Sequence, residues 1–126
     1  MNANELRIGN LVYRNDIANG SDRIETVVEL NSKAVVSGPI KVICSYSELR
    51  PIPLTEEWLL KLGFENNRIS VNSVDELAYM FDGDEWSLRY QTKGSGFTRD
   101  YGIKHVHQLQ NLHFALTGQE LCVTQP

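Results

Sequence analysis

Short apolar runs separated by turn residues fill positions 1–53, and their spacing predicts β structure there. Gly9-Asn10 precedes a short apolar strand, Leu11-Val12-Tyr13, and Asp16 to Asp22 reads as a polar loop. Ile24, Thr26 and Val28 alternate with Glu25, Val27 and Glu29, the period of a half-buried strand. Asn31-Ser32 turns the chain into Ala34-Val35-Val36. Ser37-Gly38-Pro39 turns it again into a segment where Ile40, Val42 and Cys44 alternate with Lys41 and Ile43. Turn signals recurring about every 8–12 residues predict a small barrel or rolled sheet, of which an SH3-like barrel is the closest type. Tyr46 to Leu49 fits the single helical turn that such barrels often carry before their last strand.

Pro51-Ile52-Pro53 marks a boundary, because proline fixes φ and pushes its predecessor toward extended geometry. A helix is predicted next. Thr55 is its N-cap, Glu56 and Glu57 suit the positive end of the dipole, and Gly63 suits the left-handed residue past its end. Leu54 and Leu59 have the spacing of a hydrophobic staple. Trp58, Leu59 and Leu62 make the apolar stripe, with Trp58 read as a core anchor rather than a ligand platform. Ile69 and Val71 suggest a short strand. Leu77, Tyr79 and Phe81, then Trp86, Leu88 and Tyr90, alternate around Asp82-Gly83-Asp84-Glu85, predicting a hairpin. The capping-box spacing of Ser73 and Glu76 leaves a helix over 74–81 as the alternative. Phe97 to Ile103 suggests another strand. Val106, Leu109, Leu112, Ala115 and Leu116 predict a closing helix from about Val106 to Thr117, ended by Gly118. The expected fold is α+β: an SH3-like module over 1–53, then helix, antiparallel sheet and closing helix over 54–126, packed as one unit.

A chain of 126 residues, 41% hydrophobic and 22% charged, lies in the globular range and away from disorder. Its net charge of -4 argues against a surface built wholly for phosphate neutralisation. Residues 1–53 are neutral, with Arg7, Arg14, Arg23, Lys33, Lys41 and Arg50 balanced by as many acids, so any nucleic-acid contact belongs to that half. Cys44 and Cys122 have neither metal nor redox spacing and read as reduced, inert thiols. No apolar run approaches the ~18 residues of a membrane span. The expected location is the cytoplasm.

Candidate chemistry is sparse. His105, His107 and His113 contain a His-x-His, but on a helix the first two would point about 200° apart, since each residue turns about 100°. These read as surface or capping histidines. Asp82, Asp84 and Glu85 lack the spacing of a calcium loop and read as a solvated turn. Gly94 and Gly96 lack the rest of a phosphate loop, and Ser95 lacks a nucleophile elbow. Paired carboxylates brought together in space remain open. Tyr13-Arg14 and Arg89-Tyr90 interleave aromatic and basic side chains, a pattern that can stack bases or simply belong to half-exposed strands.

Three blocks carry a resemblance. They are Asn2-Ala3-Asn4-Glu5-Leu6-Arg7-Ile8-Gly9-Asn10, the stretch from Tyr46-Ser47-Glu48-Leu49-Arg50-Pro51 to Trp58-Leu59, and His105-Val106-His107-Gln108-Leu109-Gln110-Asn111-Leu112 followed by Phe114-Ala115-Leu116-Thr117-Gly118. Together they resemble a family of small uncharacterised proteins common in gut anaerobic bacteria, their phages and mobile elements. Such relatives usually carry an aromatic residue at the position of His105, which weakens a metal reading. The family tag implies no activity. Gln108, Gln110 and Asn111 are the polar members of the third block. They read as amides on the solvated side of a core helix.

The expectation is therefore a non-catalytic binding module for a protein partner or a sequestered small ligand, an accessory protein of a phage or mobile element. Tyr13, Arg14, Trp86 and Tyr90 are the candidate contact residues, and no catalytic residue, metal or cofactor is assigned. The alternatives are a nucleic-acid adaptor using the N-terminal barrel, and an enzyme whose site is assembled only in space. No membrane partner is expected, and an open edge strand would allow a homodimer.

Overall fold

The computed structural model describes residues 1, 3–16, 21–31, 35–37, 42–81, 83–94, 98–121 and 123. Lys33, Lys41, Asp82, Ser95, Gly96, Cys122 and the Cys44 side chain, all weighed above, lie outside the described residues. The chain divides into two units. One comprises 1–53 with 105–111, and the other 54–104 with 112–126.

In the first unit, β1 (Leu11–Asp16), β2 (Ser21–Leu30), β3 (Val35–Ser37), β4 (Val42–Cys44) and β5 (Leu49–Arg50) form one antiparallel sheet in the order β4-β3-β2-β1-β5. Of the expected barrel or rolled sheet, a closed barrel is not what forms: among the described residues β4 pairs only with β3, the two-residue β5 pairs only with β1, and no ladder joins these edges. β1 and β2 run further into the Asp16–Asp22 segment than the loop expectation allowed. Leu6, Val12, Val27 and Leu49 form the core, with Met1, Leu30 and Tyr46 packed on it. A single helical turn, Tyr46–Glu48, leads into β5.

The inward face of β2 differs from the apolar pattern. Glu25 and Val27 are buried, whereas Ile24 is 50% exposed and Thr26 is exposed. The carboxylate tolerates that position because Arg14, on the adjoining strand, donates to it at 3.1 Å, and a buried charge persists when it is paired. The β2–β3 register then shifts between Val27 and Glu29, so period two does not carry through the strand.

In the second unit, Thr55 caps helix α1 (Glu56–Lys61) by accepting the Trp58 N–H at 3.3 Å. Past its end, Phe64 N–H reaches Leu59 C=O and Gly63 N–H reaches Leu60 C=O, with Gly63 at φ 96. This is a Schellman closure, with Gly63 in the left-handed position its sequence predicts. A sheet in the order β6-β7-β8-β9 follows, from β6 (Arg68–Ser70), β7 (Asp75–Phe81), β8 (Trp86–Thr92) and β9 (Thr98–Asp100). Residues 75–81 are strand, not helix, because each pairs with a residue of β8 over a full seven-residue register. Asn66 and Asn67 both take positive φ between Glu65 and Arg68, whose backbones exchange two hydrogen bonds. Consecutive left-handed residues are what a tight type I′ hairpin requires, and asparagine tolerates them. Leu54, Trp58, Leu59, Leu62, Phe64, Leu77, Ala78, Leu88 and Leu121 are buried in this unit.

Helix α2 (Val106–Thr117) contributes its start to the first unit and the remainder to the second. Its buried positions depart from the apolar stripe. Val106 and Leu109 are buried, but so are His107, Gln110 and His113, while Ala115 and Leu116 are exposed. No helix among the described residues is long and apolar enough to cross a membrane.

Candidate binding surface

Strand pairing sets an aromatic cluster at the tip of the β7–β8 hairpin. Asp75, Leu77, Tyr79 and Phe81 share one face, opposite Thr92, Tyr90, Leu88 and Trp86. Leu77 and Leu88, mid-strand, are buried on this face. Beyond them, at the hairpin end, Phe81 is 53% and Trp86 41% exposed. Trp86 stacks on Tyr79 at 5.2 Å with planes 13° apart, and meets Phe81 at 5.5 Å. Cross-strand aromatic pairs of this kind hold a hairpin end together, and here Phe81 and Trp86 also stay partly in water. Burial, and secondarily the Glu56 charge, push the Tyr79 phenol above its ordinary range.

Tyr90 is on the same face as Trp86, four residues or about 13 Å along the strand. Its hydroxyl donates to Asp75 Oδ2 at 2.5 Å, while Thr92 and Asn72 also donate to that carboxylate. These donors hold Asp75 below the usual carboxylate range, led by the Tyr90 bond, and the same bond raises the Tyr90 phenol. A raised phenol is harder to ionise, so the pair braces the strand ends and does not prepare a nucleophile. Tyr101 meets the Tyr90 ring edge-on at 6.3 Å.

Tyr13 and Arg14 lie in the other unit and, as strand neighbours, on opposite faces of β1. Arg14 shares the inward face with Glu25 and Arg23, both arginines approach that one carboxylate at 3.1 and 4.0 Å, and Arg14 Nε is buried without a hydrogen-bond partner. Arg50 pairs with Tyr13 on the other face. Arg14 and Arg23 therefore lie on one face of the sheet and Arg50 on the other.

Of the amides of α2, Gln110 is a core group and Gln108 and Asn111 are half-buried, contrary to their reading as solvated. Gln110, 2% exposed, accepts Leu11 N–H at 2.8 Å and donates to Gly9 C=O at 3.2 Å. Asn111 accepts from Asn10 Nδ2 at 2.8 Å and Arg7 Nε at 3.2 Å, and donates to Glu5 C=O. Gly9 at φ 98 makes this possible, by closing a turn in which Asn10 N–H bonds Arg7 C=O. The first and third sequence blocks are thus two halves of one hydrogen-bond lattice. Gln108 has a separate task, accepting the His105 N–H ahead of the helix.

The histidines also depart from expectation. His107 is 2% exposed and His113 is buried. His105 and His107 stack at 5.9 Å rather than diverging, because His105 precedes the helix, in an extended bridge with Pro53, and the helical rotation does not apply to it. Burial and then the neighbouring His105 lower the His107 pKa, and its Nδ1 has no hydrogen-bond partner. No group of three metal-ligating side chains occurs among the described residues.

A concave pocket of about 330 Å³ adjoins edge strand β6, lined by Gly63, Glu65, Asn66, Arg68, Ser70 and Glu76. Glu76 Oε2 accepts from Gln91 Nε2 at 2.6 Å and Arg68 Nη1 at 2.9 Å. The sequence reading did not find it, since Glu76 entered there only as half of a capping box and the pairing register alone brings Arg68 to it. Comparison with protein-family models, with curated proteins and with solved structures finds no match to this chain.

Proposed function

We propose that this chain is a non-catalytic binding module, and that Trp86 with Phe81 at the tip of the β7–β8 hairpin anchors a protein partner. The observation carrying this reading is two large aromatic rings side by side, each about half exposed, on strands held in register. Exposed aromatic clusters concentrate binding energy because they bury large rigid area at small conformational cost. Against catalysis weighs that, within this unit, the groups whose pKa is displaced, Asp75, Tyr79 and Tyr90, do not line the β6 pocket. We read the first unit as an SH3-like roll. The strand order β4-β3-β2-β1-β5 and the helical turn before β5 support that reading. A nucleic-acid adaptor has less support, since Arg14 and Arg23 serve Glu25 and Arg50 faces the other way. The resemblance of the sequence blocks supports an accessory role in a phage or mobile element, acting in the cytoplasm.

Affinity capture with the full chain tests the reading. Trp86→Ala combined with Phe81→Ala should cut partner recovery by about tenfold or more while leaving the folded spectrum intact. Undiminished recovery by the folded double variant would overturn it.

A further inference from the structure

The aromatic tip is joined to an acidic turn. Phe81 and Trp86 are the last and first residues of their strands, and the turn between them reads Asp82-Gly83-Asp84-Glu85. Both Asp84 and Glu85 are exposed. The second unit carries the entire net charge: six basic and ten acidic side chains over 54–104 and 112–126, against a neutral balance over 1–53 with 105–111. A cation is already drawn to this tip, since Lys104 Nζ lies 3.8 Å from Glu85 Oε1 with both side chains more than half exposed. Such a water-exposed pair contributes little, so an incoming cation can exchange for it. Ring faces beside carboxylates are the combination that holds a guanidinium or ammonium, the ring through its quadrupole and the acid through charge.

We propose that the partner bound at this tip is a protein segment presenting arginine or lysine, one cation lying over Trp86 or Phe81 and paired with Glu85 or Asp84. The inference rests on the tip being the contact surface and adds the charge of what it contacts. An apolar segment would gain nothing from the turn, and an acidic one would be repelled by it.

The test is an NMR titration of the full isotope-labelled chain with a hexapeptide of alternating glycine and arginine, and with its glutamate counterpart. The expected result is a saturable shift of the Trp86 indole N–H by the arginine peptide alone. Raising salt from about 50 to about 200 mM should weaken it several-fold, as screening shortens the reach of exposed charges. Asp84→Asn with Glu85→Gln, two exposed changes that spare the core, should weaken it about threefold or more with the rings intact. No Trp86 shift with the arginine peptide, an equal shift with the glutamate peptide, or indifference to the charge-removing pair would each overturn the proposal. The outcomes separate from those of the broader reading. Capture that needs Trp86 but ignores the turn charges ends only the cationic partner, whereas capture indifferent to the rings ends both.

Discussion

Gln110 shows how much one side chain decides. Its amide sits where a leucine would pack, yet it serves the Leu11 N–H and the Gly9 C=O at once. Gln110→Ala leaves both groups without that partner and should cost about 1–3 kcal/mol in urea unfolding. His107 predicts a pH response. Its folded pKa lies below the ordinary histidine value of about 6.5, so the unfolded chain binds more protons as pH falls through that value. Stability present above about pH 6.5 is therefore lost as pH falls toward the folded pKa. The charged or titratable groups acting on it are His105, which lowers it further, and Glu5, which opposes the shift. Denaturant midpoints measured across this range should fall for the natural chain, and His107→Gln should remove its share of the fall. Asp75 and Tyr90 give a third prediction. Asp75→Asn removes the carboxylate that raises the phenol, so the Tyr90 ionisation followed by ultraviolet absorbance should move down toward about 10.

Among the elements, α1 and the Glu65–Arg68 turn are specified by local chemistry. Thr55, Gly63 and Phe64 define α1 through its cap and its closure, and Thr55 and Gly63 were readable because caps depend on backbone groups within a few residues. Gly63→Ala, at φ 96, should cost about 1–2 kcal/mol, the penalty of a side chain in left-handed geometry. Asn67→Val, at φ 61, should cost a similar amount, about 1–2 kcal/mol, and Asn67→Gly should be tolerated. Thermal unfolding of the pair of variants distinguishes a left-handed requirement from mere loss of an amide. The β7–β8 hairpin was readable for a different reason: period two persists through both arms, and each pairing reinforces the next. Strand β2 and helix α2 were less so. Their apolar positions named the wrong face of one and half the wrong residues of the other, because charge pairing and amide bonding let Glu25 and Gln110 go inward.

For the whole molecule, charge and aromatic exposure separate by unit. The first unit is neutral and its described arginines are dispersed: Arg7 bonds Asn111, Arg14 and Arg23 approach Glu25, and Arg50 lies on the opposite sheet face. The second holds the net -4 together with the exposed Phe81–Trp86 pair. Titration of the full chain with a single-stranded oligonucleotide should consequently show no binding that steepens as salt falls, measured by anisotropy. A strong salt slope would return the adaptor reading to the front.

The amino-acid sequence by itself determined the α+β class, the capped helix α1, the aromatic hairpin, the helical turn before β5 and the span of α2. Each follows from a local rule, a cap, a turn residue or a short period, which needs no knowledge of distant neighbours. Only the tertiary structure decided that the first sheet stays open, that Glu25, His107, Gln110 and Asn10 are interior, and that Phe81 and Trp86 remain in water. The physical reason is common to these cases. Whether a polar group can be buried depends on a partner tens of residues away, such as Asn10 to Asn111, and whether an apolar ring stays exposed depends on what fails to cover it.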